Sequence, residues 1–224
     1  MICHSQITNY HDNMIYLDNA ATTPLDPVVL QAMIPHLQEN GGNPSSAHSK
    51  GREARVAVDT ARQSVADSLG VRPYEVVFTA SGSEGNNLAL QGVASAWRKK
   101  NGKCGHIIVS SIEHKCVAHS AKLLKESGWE VTWLPVDEHG LVAVDTLNKE
   151  LREDTALVSV MWANNEIGTI QPIEEMQKLC TEHSVPFHTD AVQAIGYLPL
   201  PEHLPDLITL AGHKFYGPKG SGAL

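Results

Sequence analysis

The stretch Asp206-Leu207-Ile208-Thr209-Leu210-Ala211-Gly212-His213-Lys214-Phe215-Tyr216-Gly217-Pro218 sets an apolar run directly against a basic pair. The run 207–210, bounded by an acid and by Ala-Gly, reads as a buried strand of an α/β sheet. His213 and Lys214 follow at its carboxyl end, and in open α/β sheets those ends face the ligand crevice. An amine held there beside Phe215 and Tyr216 is placed for partial desolvation. That lowers its pKa and frees its lone pair for Schiff-base chemistry. Taken alone, the same pattern also describes an exposed loop lysine, so the surrounding chain has to decide.

Outward from this stretch, strand and helix patterns alternate. Strands are predicted over 75–79, 106–110, 130–134, 156–161, 186–190 and 207–210. Helices are predicted over 27–38, 50–69, 83–99, 115–127, 146–151 and 173–183. Asp26-Pro27 opens the first helix with an acidic N-cap and proline at the first position. Such alternation implies an α/β fold with a mainly parallel sheet and helices on both faces. Residues 1–14 read as a polar leader and 15–224 as one large domain. The last residues, Gly220-Ser221-Gly222-Ala223-Leu224, look like the start of another strand, so the domain is expected to be truncated there.

Composition narrows the function classes. Of 224 residues 42% are hydrophobic and 19% charged, as in a globular protein with a real core. A formal net charge of −8 argues against nucleic acid or an anionic membrane as main partner. No apolar run reaches membrane-spanning length, and residues 1–13 lack the apolar core of a signal peptide. Cys3, Cys104, Cys116 and Cys180 are scattered without a CxxC pair, which gives neither a zinc ribbon nor a disulfide framework. A cytoplasmic, reducing location is the expectation.

Five strand ends carry polar chemistry. Thr79-Ala80-Ser81-Gly82-Ser83-Glu84-Gly85-Asn86-Asn87 joins a strand to a helix through small residues, which suits a phosphate at the helix start but also an ordinary βα turn. It is no P-loop, since no Gly-Lys-Ser/Thr follows. Gly212 to Gly217 has the Walker spacing, but Pro218 occupies the lysine position. Phe187-His188-Thr189-Asp190 ends in a carboxylate that either caps the next helix or meets a cationic ligand group. Ser111-Ile112-Glu113-His114-Lys115 brings a histidine that is either a cap or a functional side chain. Asn164-Asn165-Glu166-Ile167-Gly168 brings amides. Parallel strands point all five tips to one edge. Lysine, aspartate, histidine and a phosphate loop together suit pyridoxal phosphate: a Schiff base, a partner for the ring nitrogen, a ring-stacking group and an anion seat.

The sequence resembles the cysteine desulfurase branch of the class-V aminotransferase family. The likeness is carried by Tyr16-Leu17-Asp18-Asn19-Ala20-Ala21-Thr22-Thr23-Pro24, Gly42-Asn43-Pro44-Ser45-Ser46, Glu113-His114-Lys115, Asn164-Asn165-Glu166-Ile167-Gly168, Asp190-Ala191-Val192-Gln193 and Gly212-His213-Lys214-Phe215-Tyr216-Gly217-Pro218-Lys219-Gly220, in that order. It implies the large domain of the fold type I pyridoxal-phosphate transferases, with a seven-stranded-type sheet and the C-terminal small domain missing. By that resemblance Lys214 bears the cofactor and moves the substrate α-proton. His114 stacks on the ring and assists proton transfer. Asp190 pairs with the ring nitrogen, Gln193 bonds the phenolic oxygen, and Asn165 lies near that oxygen and the substrate carboxylate. Gly82, Ser83 and His213 hold the phosphate. The implied reaction takes L-cysteine to L-alanine, with sulfur passed through an enzyme persulfide to an iron–sulfur scaffold or other sulfur acceptor. A homodimer is expected of the intact protein.

Departures accompany the likeness. The family's sulfur-accepting cysteine and substrate-gripping arginine lie well past the lysine, and the sequence ends ten residues after Lys214. The chain alone is therefore expected to outline the cofactor site without completing desulfuration. Ala211 stands where many relatives have a phosphate-binding serine. Cys116, near His114, reads as a small apolar helix residue. Selenocysteine lyases and other class-V lyases or transaminases share this half of the fold, and a non-catalytic fragment is the other alternative. A metal-dependent hydrolase built on His188, Asp190 and His213 leaves the remaining strand-end motifs unexplained, so no metal is expected.

Overall fold

Period-two alternation in the central strands sorts their side chains onto two faces, and each face has gathered its own helices. The computed structural model describes residues 15–39 and 41–224; the leader expected over 1–14 lies outside the described residues. Its strands are β1 (Phe78–Thr79), β2 (His106–Ser110), β3 (Glu130–Leu134), β4 (Thr155–Ser159), β5 (Phe187–Asp190), β6 (Leu207–Ala211) and β7 (Gly222–Ala223). They form one seven-stranded sheet in the order β1-β7-β6-β5-β4-β2-β3. Only β7 runs against its neighbours, pairing antiparallel with β1 and β6; β2 through β6 pair in parallel.

The helices are α1 (Pro27–Gln38), α2 (Ser49–Leu69), α3 (Gly82–Asn101), α4 (Lys115–Glu126), α5 (Val144–Glu150) and α6 (Ile173–Glu182). Ile107, Val109 and Leu157 pack with Leu90 of α3 and Val117, Ala121 and Leu124 of α4. Their strand neighbours Ile108 and Val158 turn the other way, onto Leu147 of α5 and Met176 and Cys180 of α6. Helices thus cover both faces, as the alternation of elements implied. From β2 the chain steps outward to β3, then returns to place β4 on the other side of β2. Such a reversal opens a crevice beyond the carboxyl ends of the strands.

Local chemistry sets the boundaries. Asp26 caps α1 by accepting from the Val28 N–H at 2.7 Å, as its Asp-Pro start predicted. The first strand is shorter than the expected 75–79. Pro73–Glu75 forms a 3-10 turn in which a Glu75 carboxylate oxygen accepts from the Arg72 N–H at 2.8 Å. That turn consumes the start of the extended run, and pairing begins at Phe78, opposite Ala223. The strand expected near 220–224 is therefore real, and it closes the sheet between β1 and β6.

Two buried histidines hold the sheet with neutral rings. His106 lies between Thr155 Oγ1 at 3.0 Å and Thr132 Oγ1 at 2.8 Å. His188 is fully buried between Ser159 Oγ at 2.8 Å and Thr209 Oγ1 at 3.0 Å. Burial pushes the His188 imidazole from 6.5 down to about 3, and desolvation moves His106 the same way. Below about pH 6.5 the unfolded chain takes up a proton that folded His188 refuses, so its contribution is present at neutral pH and is lost on acidification. Between about pH 7 and about pH 5 that lost contribution is worth about 2 kcal/mol, a slope that denaturant titrations read as wild type against His188→Gln. His188→Gln should lose most of that slope; an unchanged slope would assign it elsewhere.

Candidate active site

At the carboxyl edge of the sheet lies a cleft of about 440 Å³, within the usual size range of small-molecule sites. Every residue to which the resemblance gives a cofactor role lines it: Gly82 and Ser83 after β1, His114 after β2, Asn165 after β4, Asp190 and Gln193 at the end of β5, and His213 and Lys214 after β6. The alignment of parallel strands is what gathers residues up to about 130 positions apart onto one edge.

Asp190 sits at the floor, 5% exposed. One carboxylate oxygen accepts from Val192 N–H at 3.0 Å and the other from Asn86 Nδ2 at 2.6 Å. The side chain closes a turn, since no helix follows β5, and it also fronts the cleft. Burial raises its pKa, against those two hydrogen bonds and the nearby His114 and Lys214. A cation or N–H donor arriving from the cleft would favour the ionised form.

Lys214 closes a 3-10 turn, Gly212–Lys214, directly after β6. Its Nζ donates to the carbonyls of Ala20 and of Ala21, the latter at 3.0 Å. Burial lowers its pKa, partly countered by Asp190 and Asp18, so its free-base fraction at neutral pH exceeds that of a solvated lysine. The N-terminal segment is fastened to the same turn. Thr23 N–H and Oγ1 donate to the His213 carbonyl at 2.8 and 3.0 Å, and Tyr216 N–H donates to Thr23 Oγ1 at 2.7 Å. His213 Nδ1 lies 3.1 Å from Thr22 Oγ1, and desolvation lowers its pKa. Gln193 Nε2 donates to the Ala20 carbonyl at 2.9 Å. Asp18, Ala20 and Ala21 thus wall the cleft. No site role for these residues is legible in the sequence, since nothing local to them says where they pack.

Gly82 and Gly85 begin α3, and close packing demands both. A Cβ on Gly82 would lie 2.7 Å from Val192 Cγ2, and one on Gly85 would lie 2.8 Å from Thr209 Cγ2. Small residues here let α3 sit down on β6, beyond any approach to an anion. Ser81 Oγ accepts from the Glu84 N–H at 3.1 Å, and the Gly85 N–H bonds the Ser81 carbonyl. The Gly82 and Ser83 amides remain at the open helix end, where a phosphate would find donors and the positive dipole end.

His114 is the N-cap of α4, its Nδ1 accepting from the Cys116 N–H at 3.3 Å. Cys116 corrects the apolar reading. Its Sγ lies 2.9 Å from His114 Nδ1 and accepts from Asn86 Nδ2 at 3.2 Å, and both Cys116 and Asn86 line the cleft. Asn86 likewise escaped the sequence reading. Its one signal, a polar residue on the buried stripe of α3, is also that of a simple surface position.

Glu113 lies behind this wall. Its Oε1 accepts from Ser110 Oγ and, at 2.7 Å, from the Met161 N–H, tying the ends of β2 and β4 together. Its Oε2 is buried without a partner. Burial pushes the carboxyl up to about 8 from 4.5, against both hydrogen bonds, so the group is protonated at neutral pH. The folded pKa is the higher one, so the contribution is present below about 4.5 and is lost as pH rises through about 8. Glu113→Gln, isosteric and uncharged, is expected to flatten that alkaline decline in denaturant titrations. An unaltered decline between about pH 5 and about pH 8 would refute the buried acid.

His188 does not join the cleft; its ring is used up between Ser159 and Thr209. The His188–Asp190–His213 grouping weighed from the sequence is therefore not assembled.

Comparison with known proteins matches this geometry to one lineage. The sequence profile of a family described as Aminotransferase class-V matches residues 15–224. The chain is 48% identical over 224 residues to the cysteine desulfurase IscS of Methanosarcina thermophila, covering 99% of this chain and 55% of that protein. It is 51% identical over 212 residues to the cysteine desulfurase IscS of Dictyoglomus turgidum, covering 94% and 53%. A solved structure described as SspA in complex with cysteine superposes with a TM-score of 0.87 at 41% identity, covering 93% of this chain and 60% of that one. A NifS-like protein superposes with a TM-score of 0.87 at 42% identity, covering 93% and 57%. The chain spans about half the length of the curated relatives it matches.

Proposed function

We propose that this chain, which belongs to the class-V aminotransferase family, is the cofactor-binding portion of a cysteine desulfurase. Members of that family and its cysteine desulfurases are pyridoxal phosphate enzymes. The observation that carries the reading is the pairing, in one cleft, of a buried Asp190 with a partly desolvated Lys214. The residues fit pyridoxal phosphate on their own chemistry. Asp190 is a buried carboxylate whose donors among the described residues are Val192 N–H and Asn86 Nδ2, and it suits a protonated ring nitrogen. Lys214 offers an amine, and the start of α3 offers amides to a phosphate.

Pyridoxal phosphate, when bound, supplies an electron sink for charge left on the substrate α-carbon. The chain does the rest. Asp190 holds a proton on the ring nitrogen, which its burial makes worth more than in water. Gly82, Ser83 and His213 would hold the phosphate, and His114 would lie over the ring. Lys214 Nζ would take the substrate α-proton, with the carbonyls of Ala20 and Ala21 accepting from the ammonium that results. Asn165 and Gln193 orient the oxygens around the ring and the substrate carboxylate.

The whole protein takes L-cysteine to L-alanine and hands sulfur to an acceptor for iron–sulfur cluster or thio-cofactor assembly. The names of the relatives, cysteine desulfurases, support that choice. No residue of this chain is assigned as sulfur acceptor or carboxylate-binding arginine, and the chain alone is proposed to be inactive in desulfuration. A homodimer is proposed for the intact protein, supported by the unburied apolar side chains Leu17, Val28 and Leu37. A cytoplasmic location is supported by the unpaired Cys104, Cys116 and Cys180. No helix among the described residues is long and apolar enough to cross a membrane.

The test is borohydride reduction of the purified chain after incubation with pyridoxal phosphate, followed by peptide mass mapping. A pyridoxyl mass confined to Lys214 is expected. Label spread over surface lysines would overturn the reading.

A further inference from the structure

The cleft contains a nucleophile for which the proposed reaction has no use. Cys116 is half-buried in the cleft wall at the first turn of α4, a 12-residue helix. Its Sγ lies 2.9 Å from His114 Nδ1 and accepts a hydrogen bond from Asn86 Nδ2. A helix N-terminus, an imidazole and an amide donor all stabilise a thiolate. The amide that donates to this thiol is itself left partly unsatisfied. Asn86 is 1% exposed, and its Oδ1, in the same cleft wall, is buried with no hydrogen-bond partner. The other described cysteines lack such surroundings: Cys104 donates to the Ser127 carbonyl at 3.7 Å, and Cys180 is buried in the core below β5.

We propose that Cys116 is an activated thiol and a modification site for small soft electrophiles and hydroperoxides, and that its modification closes the cleft to the cofactor. The charged groups facing it are His114, which favours the thiolate, and Asp190 and the mostly protonated Glu113, which oppose it. Burial alone would push the thiol up, but the contact with His114 and the hydrogen bond from Asn86 outweigh it and bring it below its ordinary value. The same contact with Cys116 raises the His114 imidazole, against burial. Proton transfer across the 2.9 Å contact therefore gives thiolate and imidazolium together. With a hydroperoxide, the thiolate sulfur attacks one peroxide oxygen. The S–O bond forms, the O–O bond breaks, and hydroxide or alkoxide leaves; sulfur is oxidised to sulfenic acid as the peroxide is reduced. An oxygen added at this sulfur crowds the Asp190 floor and breaks the contact that orients His114.

The experiment is timed alkylation of the whole chain with iodoacetamide over a pH series, read by peptide mass mapping, with Cys104 and Cys180 as internal references. At neutral pH Cys116 is expected to react on the order of tenfold faster than Cys104, with its rate rising at a lower pH. His114→Gln should reduce it to the Cys104 rate; the wild-type pH profile stands whether or not that variant folds. Hydrogen peroxide followed by dimedone should place the dimedone mass on Cys116. That treated chain should then fail to acquire the pyridoxyl label at Lys214. Reaction no faster than Cys104, reaction only in denaturant, or full labelling of the oxidised chain would each overturn the proposal. Only the closing of the cleft rests on the cofactor reading. If Cys116 is fast and pyridoxal phosphate labels nothing in the untreated chain, the activated thiol stands and the cofactor reading fails.

Discussion

Lys214→Ala is expected to abolish the pyridoxyl mass on the peptide spanning 212–217 and to leave only the background found on surface lysines. Three features of the site make the effect this large. The amine is lowered in pKa by burial, so it reacts at a pH where solvated lysines stay protonated. It shares the cleft with Asp190 and with the open end of α3, so the aldehyde is concentrated beside one amine. The other lysine nearby in sequence, Lys219, does not line that cleft. The variant should also remain folded. Its cost is two hydrogen bonds to the exposed Ala20 and Ala21 carbonyls, which can turn to water, so about 1 kcal/mol or less is lost. Circular dichroism and a denaturant midpoint close to wild type would show that loss of label is chemical. Undiminished label in the variant would remove Lys214 from the site.

Phe187→Ala carries the largest expected stability loss. Phe187 is fully buried in β5, within the cluster that includes Val158, Met176 and Cys180. Truncation removes its transfer free energy and leaves a cavity that parallel strands fixed by their ladder cannot collapse into. Such changes cost about 3–5 kcal/mol, a large share of the roughly 5–15 kcal/mol that holds a domain together. The backbone should survive, because the Phe187 N–H still donates to Asp206 at 2.9 Å. The side chain also points away from the face that carries Asp190, since side chains three apart on a strand lie on opposite faces. Folded variant at low temperature is therefore expected to label Lys214 normally while its denaturant midpoint falls steeply. A loss below about 1 kcal/mol would mean that the α5–α6 side of the core is loosely packed.

How much of this could be read before folding differs by residue. Ile107, Ile108 and Val109 form a short continuous apolar run, which reads as a strand covered on both faces, and the pleat then sends consecutive side chains to opposite helix layers. Lys214 and Asp190 sit directly after apolar runs, and any parallel sheet sends such positions to one edge. The run 75–79 misled because its first residues belong to a turn closed by Glu75 and Arg72. That pairing uses a side chain on a neighbour's backbone, and apolar patterning is blind to it.

The order of strands and helices, the two-faced core, and the kinds of groups standing at the sheet's carboxyl edge are legible in the chain before it folds. Those follow from local periodicity and from the direction parallel strands must share. Only the tertiary structure decided which polar groups meet. It brought Ala20 and Thr23 onto the Lys214 turn across about 190 residues. It set Asn86 between Asp190 and Cys116, turned that cysteine from an apolar filler into a partner of His114, and buried Glu113 until it holds its proton. Hydrophobic burial is non-directional and leaves its period in the sequence. A hydrogen bond or an ionisation state depends on atoms within a few ångströms, supplied by segments that the topology alone makes neighbours.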